Sequence, residues 1–138
     1  MKSFAAALLL AALSAGLSGC HQSSGAQAPA EPSQTGKLSG TWSGGFGVVG
    51  GDGVTPQFII FHQDGAHITG SGGPDAKEQY PIVSGGVTGE IVRLEIRTDK
   101  RAFFYYMKHD GDKLRGDILI REPDNTKSSG KVWLERSH

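Results

Sequence analysis

From about residue 39 onward, apolar and polar positions follow a period of two. Arg93-Leu94-Glu95-Ile96-Arg97 and Lys131-Val132-Trp133-Leu134-Glu135 alternate strictly, as a strand does when one of its faces is buried. Phe58 to Phe61 and Phe103 to Met107 are unbroken apolar or aromatic runs of strand-forming composition. Turn signals separate the runs: Asp64-Gly65, Gly89-Glu90, Asp110-Gly111 and Pro123-Asp124-Asn125. No stretch of this region carries a helical period. The spacing predicts eight strands, at 39–47, 55–63, 66–72, 79–87, 91–98, 102–109, 112–121 and 129–136. The two longer connections are a Gly-rich loop at 48–54 and a loop at 73–78. The expected fold is all-β, an antiparallel up-and-down barrel of about eight strands, which closes on itself and leaves no free edge. A sandwich is the alternative.

Two hairpins resemble each other. Residues 58–71 and 104–117 align at an offset of 46, which superposes Phe58 on Phe104, Asp64 on Asp110, Gly65 on Gly111 and Gly70 on Gly116. The pattern fits either a duplicated four-strand unit or similar hairpins needing similar residues. If Asp64-Gly65 forms the turn, His62 faces His67 and Phe61 faces Ile68. Ile59, Phe61 and Ile68 then point inward, and in the second hairpin Tyr105, Met107, Leu114 and Ile118 do so. The same register sets Lys108 against Lys113, a repulsive pair, so that face is solvated or the turn is longer. Phe58, Ile60, Phe104 and Tyr106 would lie outside, where they could form an apolar patch.

The start of the chain reads differently. Lys2, the apolar run Phe4 to Leu13 and the small-residue exit Leu17-Ser18-Gly19 have the layout of a secretory signal. That apolar run is too short for a spanning helix of about 20 residues. The only cysteine, Cys20, closes the exit, and a lone cysteine in an exported chain has no internal disulfide partner. Leu17-Ser18-Gly19-Cys20 resembles the bacterial lipobox. That resemblance implies acylation of Cys20, which becomes the first residue of the mature chain and ties it to a membrane. His21 stands where an aspartate often signals inner-membrane retention, so the resemblance points to the outer membrane, facing the periplasm. Residues 21–36 are mostly Ser, Gln, Ala, Pro and Glu, too poor in apolar bulk to offset ordering entropy. The expected organisation is a signal peptide at 1–19, an acylated cysteine and flexible linker at 20–36, and a barrel domain at 37–138. Fourteen basic and fourteen acidic residues balance, and without a basic patch nucleic acid is not an expected partner.

Gly40-Thr41-Trp42, opening the first strand, resembles the Gly-X-Trp start of lipocalins and related calycin barrels. The resemblance implies that Trp42 plugs a closed end and that an Arg of the last strand, here Arg136, packs on its ring. The chain also resembles small uncharacterised barrel domains carried by bacterial lipoproteins, a likeness that implies no activity.

Candidate chemistry is sparse. His62 and His67 lack an evident third metal ligand, so no metal is expected. Asp110, Asp112 and Asp117 lack the spacing of a calcium loop. Gly70-Ser71-Gly72 lacks the strand-to-helix setting of a nucleophile elbow. The Gly-rich stretch Gly44 to Gly53 has no following Lys-Ser/Thr, as a phosphate loop needs. The expectation is therefore a non-enzymatic module without cofactor, anchored through Cys20. Its barrel would hold a small hydrophobic ligand lined by Ile59, Phe61, Ile68, Leu94, Ile96, Phe103, Tyr105 and Ile118. The alternative is a solid-filled barrel that binds an envelope protein, as an interaction or inhibitor module.

Overall fold

A computed structural model describes residues 37–138. The signal peptide, Cys20 and the linker expected up to residue 36 lie outside the described residues. The eight strands are β1 (Gly40–Val48), β2 (Thr55–Asp64), β3 (His67–Gly73), β4 (Tyr80–Thr88), β5 (Ile91–Arg97), β6 (Ala102–Asp110), β7 (Lys113–Arg121) and β8 (Lys127–Arg136). Each pairs antiparallel with its neighbour in sequence, and β8 returns to β1 to close the barrel. The all-β, up-and-down expectation holds, and the sandwich is excluded. Strand limits differ from the sequence reading by a residue or two, chiefly because β8 begins at Lys127.

Two of the three tight turns, at Gly65-Ala66 and Gly111-Asp112, lie one residue later than expected, and Gly89-Glu90 falls where it was expected. Gly65-Ala66, Gly89-Glu90 and Gly111-Asp112 are the two-residue loops, closed by the pairs Asp64–His67, Thr88–Ile91 and Asp110–Lys113. In each loop the glycine comes first with φ of 57° to 59°, the signature of a type II′ turn, whose twist matches that of the flanking strands. Moving the turn by one residue shifts cross-strand partners by two, so the inward face is preserved. The expected partners are corrected accordingly. His62 faces Thr69 and not His67, and Phe61 faces Gly70. Lys113 faces Asp110, which removes the repulsive Lys108–Lys113 pair. Lys108 lies opposite Arg115 and reaches Glu90 at 3.3 Å.

The sequence repeat has a structural counterpart. A Cβ on Gly70 would fall 1.9 Å from the Ile60 carbonyl oxygen, and one on Gly116 would fall 2.0 Å from that of Tyr106. Ile60 and Tyr106 are themselves related by the offset of 46. At equivalent points of β3 and β7, only glycine lets the neighbouring strand approach this closely.

The interior is apolar and packed. Trp42, Ile59, Phe61, Ile68, Val92, Met107, Leu114, Ile118, Val132 and Leu134 are all essentially inaccessible. Charged side chains such as Arg93, Lys108, Arg115 and Lys131 stand on the outer wall. A membrane-spanning barrel shows the reverse pattern, with an apolar band outside and a polar lumen.

Candidate functional site: the open mouth of the barrel

An up-and-down meander sends alternate loops to opposite ends. The three two-residue turns gather at one end, which the chain entry at residues 37–39 seals. The Leu38 N–H donates to Gln63 Oε1 at 2.9 Å, and the Leu38 carbonyl accepts from Trp42 Nε1 at 2.8 Å. The Arg136 guanidinium lies 4.5 Å from the Trp42 ring centre, within the roughly 6 Å of a cation–π contact. Arg136 also donates to the carbonyls of Ser39, at 2.7 Å, and Lys37. His109 meets the Trp42 ring edge-on, with centroids 5.9 Å apart. A polar depression of about 430 Å³ lies outside this plug, between the turns at Gly89-Glu90 and Gly111-Asp112 and beside Arg136.

The longer loops gather at the other end: 49–54, 74–79, 98–101 and 122–126. They surround a cleft of about 610 Å³, within the roughly 300–1,000 Å³ of small-molecule sites. Its apolar wall is Phe46, Tyr80, Ile96, Phe103 and Ile120. Phe46 and Phe103 face each other with ring centroids 6.3 Å apart. Ordered loops frame the rim. The Asp75 carboxylate accepts the N–H groups of Lys77 and Glu78 at 2.8 and 2.9 Å. Those two bonds hold its pKa below the usual carboxylate value. The Tyr80 hydroxyl donates to Glu78 at 2.7 Å, which raises its own pKa. Across the mouth, Arg101 pairs with Glu122 at 2.8 Å.

One polar pair lies at the floor. The Tyr105 hydroxyl donates to Gln57 Oε1 at 2.8 Å, and both side chains are buried. Burial pushes the Tyr105 pKa far above that of a free phenol, so the hydroxyl stays protonated and keeps donating. Gln57 Nε2 uses one hydrogen on the Pro56 carbonyl. Lone pairs on the Tyr105 oxygen and a second Gln57 N–H are left over. The floor can therefore accept one hydrogen bond and donate another to a group seated in the cleft.

All eight residues expected to line a ligand point inward, at two levels. Ile96, Phe103 and Tyr105 border the cleft. Ile59, Phe61, Ile68, Leu94 and Ile118 pack in the core. Phe46, Gln57, Tyr80 and Ile120 also line the mouth and were not singled out from sequence. Gln57 and Ile120 share the inward parity of Ile59 and Ile118, a signal that was available. Phe46 shares the parity of Trp42 and Val48, and Tyr80 that of Ile82, but glycines around Phe46 and the loop before Tyr80 interrupt the alternation there. The expected outer patch divides. Phe58 and Ile60 stand on β2, four strands around the barrel from Phe104 and Tyr106 on β6. Among the described residues no group of three or more His, Cys, Asp or Glu side chains is placed to hold a metal ion.

Comparison with known proteins adds no assignment: no family model matches the chain, and no curated protein matches it.

Proposed function

We propose that this chain is an envelope lipoprotein, acylated at Cys20, whose barrel binds a small hydrophobic ligand at its open mouth without catalysing a reaction. The observation that carries the reading is the cleft of about 610 Å³. It is walled by Phe46, Ile96, Phe103 and Ile120 over a single buried polar pair. The apolar residues form the inner wall, and the rim carries the charged side chains Glu78, Asp99, Lys100, Arg101 and Glu122; in such a site burial supplies affinity and the polar groups fix orientation. The packed core sets the depth, so the ligand enters the mouth only. Its chemistry follows from the floor: an apolar body with one terminal group, such as a hydroxyl or amide, that both donates and accepts.

The lipobox resemblance supports an anchored, exported protein, with the outer membrane facing the periplasm as the proposed location. The chain reaches the barrel at its sealed end, at Lys37. Residues 21–36, if fully extended, would reach about 50 Å.

Two experiments test the two parts separately. Replacing Cys20 by Ser should move the protein from the membrane fraction to the soluble fraction, and full retention in membranes refutes the anchor. Native mass spectrometry of the full chain purified from membranes should show a bound small molecule. That molecule should be lost in Phe103→Arg, whose folding is checked by circular dichroism. A mass spectrum without adduct, or an adduct that survives the substitution, refutes the ligand site.

A further inference from the structure

The basic residues of the strands are confined to one half of the barrel. β1 to β4 contain no lysine or arginine, whereas each of β5 to β8 carries at least one. On the outer wall of that half lies a second concavity of about 650 Å³ crossing β4 to β8. Phe104, Tyr106 and Leu119 form its apolar floor. Tyr106 is 47 % exposed and Leu119 37 %, on a barrel whose inner faces are packed. Arg93 lies over the Tyr106 ring at 5.2 Å, and Arg121 over Phe104 at 5.4 Å.

The charge balance of this wall is uneven. Glu95 and Asp117, the acidic residues lining the concavity, are already paired with Arg97 and Lys131. Arg93, Arg115 and Arg121 take part in no ion pair among the described residues. A guanidinium laid flat on an aromatic ring keeps its N–H edge outward, ready for a carboxylate fork. Phe104 and Tyr106 are two residues apart on one strand, about 7 Å. Alternate side chains of any extended peptide have that same spacing.

We infer that this wall is a docking surface for an extended acidic segment of a partner protein. Two carboxylates at alternate positions engage Arg93 and Arg121, and apolar side chains beside them cover Tyr106 and Leu119. Charge complementarity selects the occupant, and a concavity across five strands suits a peptide strand better than a flat lipid surface. The surface lies on the outer face of the wall, with Arg121 at its edge beside the rim residue Glu122, whereas the ligand site opens into the barrel, so the two are tested by different variants.

The test is selection of a random dodecapeptide library on the full chain held in detergent. The enriched peptides should carry Asp or Glu at alternate positions next to apolar residues. Their affinity, read by fluorescence anisotropy, should fall with rising salt. It should fall about tenfold or more in Arg93→Gln/Arg121→Gln and by less in Arg93→Lys/Arg121→Lys, which keeps the charge but loses the planar fork. Lys77→Gln, on a mouth loop, should leave it unchanged. Circular dichroism verifies that each variant is folded. No enrichment, enrichment without acidic residues, or equal binding by the Gln variant overturns the inference.

Discussion

Arg136 and Trp42 lock the sealed end of the barrel. The guanidinium covers the indole at 4.5 Å and bonds the carbonyls of Ser39 and Lys37, while the indole N–H holds the carbonyl of Leu38. One cation thus fixes the plug, the entering chain and the end of β8, which pairs with β1 at Trp42 itself.

Arg136→Met should therefore cost about 2–3 kcal/mol, from the lost cation–π contact and the lost charge-assisted bonds. For a domain of this size that lowers Tm by roughly 10–20 °C. Arg136→Lys should fall between the variant and the parent, because an ammonium cannot reach both carbonyls while lying flat on the ring. Thermal unfolding followed by circular dichroism measures both. A Tm within about 2 °C of the parent for Arg136→Met contradicts this role.

The two-level interior predicts an asymmetry among glycines. Gly116→Ala places a methyl 2.0 Å from the Tyr106 carbonyl oxygen, so β6 and β7 must separate. It should lower stability by several kcal/mol or prevent folding. Gly111→Ala meets no atom within 4 Å and is strained only by its positive φ of 58°, at about 1–2 kcal/mol. Denaturant midpoints should rank parent, Gly111→Ala, Gly116→Ala in falling order. The reverse order of the two variants contradicts the close-approach argument.

Tyr105→Phe leaves Gln57 Oε1 buried without its donor. The cost should be about 1–3 kcal/mol in chemical denaturation. Gln57→Leu/Tyr105→Phe removes both partners and should recover much of that loss while weakening binding of any ligand with a polar end. If the double variant is less stable than the sum of its single changes, the pair is not an isolated hydrogen bond.

Acid should loosen the rim at Asp75. Its carboxylate accepts two backbone N–H groups, which lowers its folded pKa below the usual 3.8. The stabilisation is thus complete above that usual value and is lost as pH falls through the folded pKa. In an NMR titration, the Lys77 and Glu78 amide resonances should move with a midpoint below 3.8. A midpoint at or above that value contradicts the turn.

The fold was legible because a barrel strand has one wet face and one dry one. Leu94 and Ile96, or Val132 and Leu134, announce that alternation in sequence, and the Asp-Gly pairs mark where it breaks. What the turns concealed was their own register: Asp64 and Asp110 close the hairpins instead of occupying the loop, a choice made by where glycine's positive φ falls in a type II′ turn. The mouth was less legible. Ile96 belongs to an alternating strand and Phe103 and Tyr105 to an apolar run, but whether a given inward side chain fills the core or borders the cleft depends on its height in the barrel. Height follows from loop lengths at both ends and from the plug at residues 37–39, not from any local pattern. The Tyr105–Gln57 bond joins β6 to β2 across the interior, a relation that neither segment carries alone.

The central claim is that the mouth, and not the packed interior or the wall, takes a small amphipathic ligand. The direct measurement is a two-dimensional NMR titration of the folded protein with a medium-chain fatty alcohol. Saturable shifts should be confined to the residues of the mouth, Phe46, Gln57, Ile96, Phe103, Tyr105 and Ile120, with Ile68 and Leu114 unmoved. No saturable shift, or shifts centred on Tyr106 and Leu119, would contradict the account.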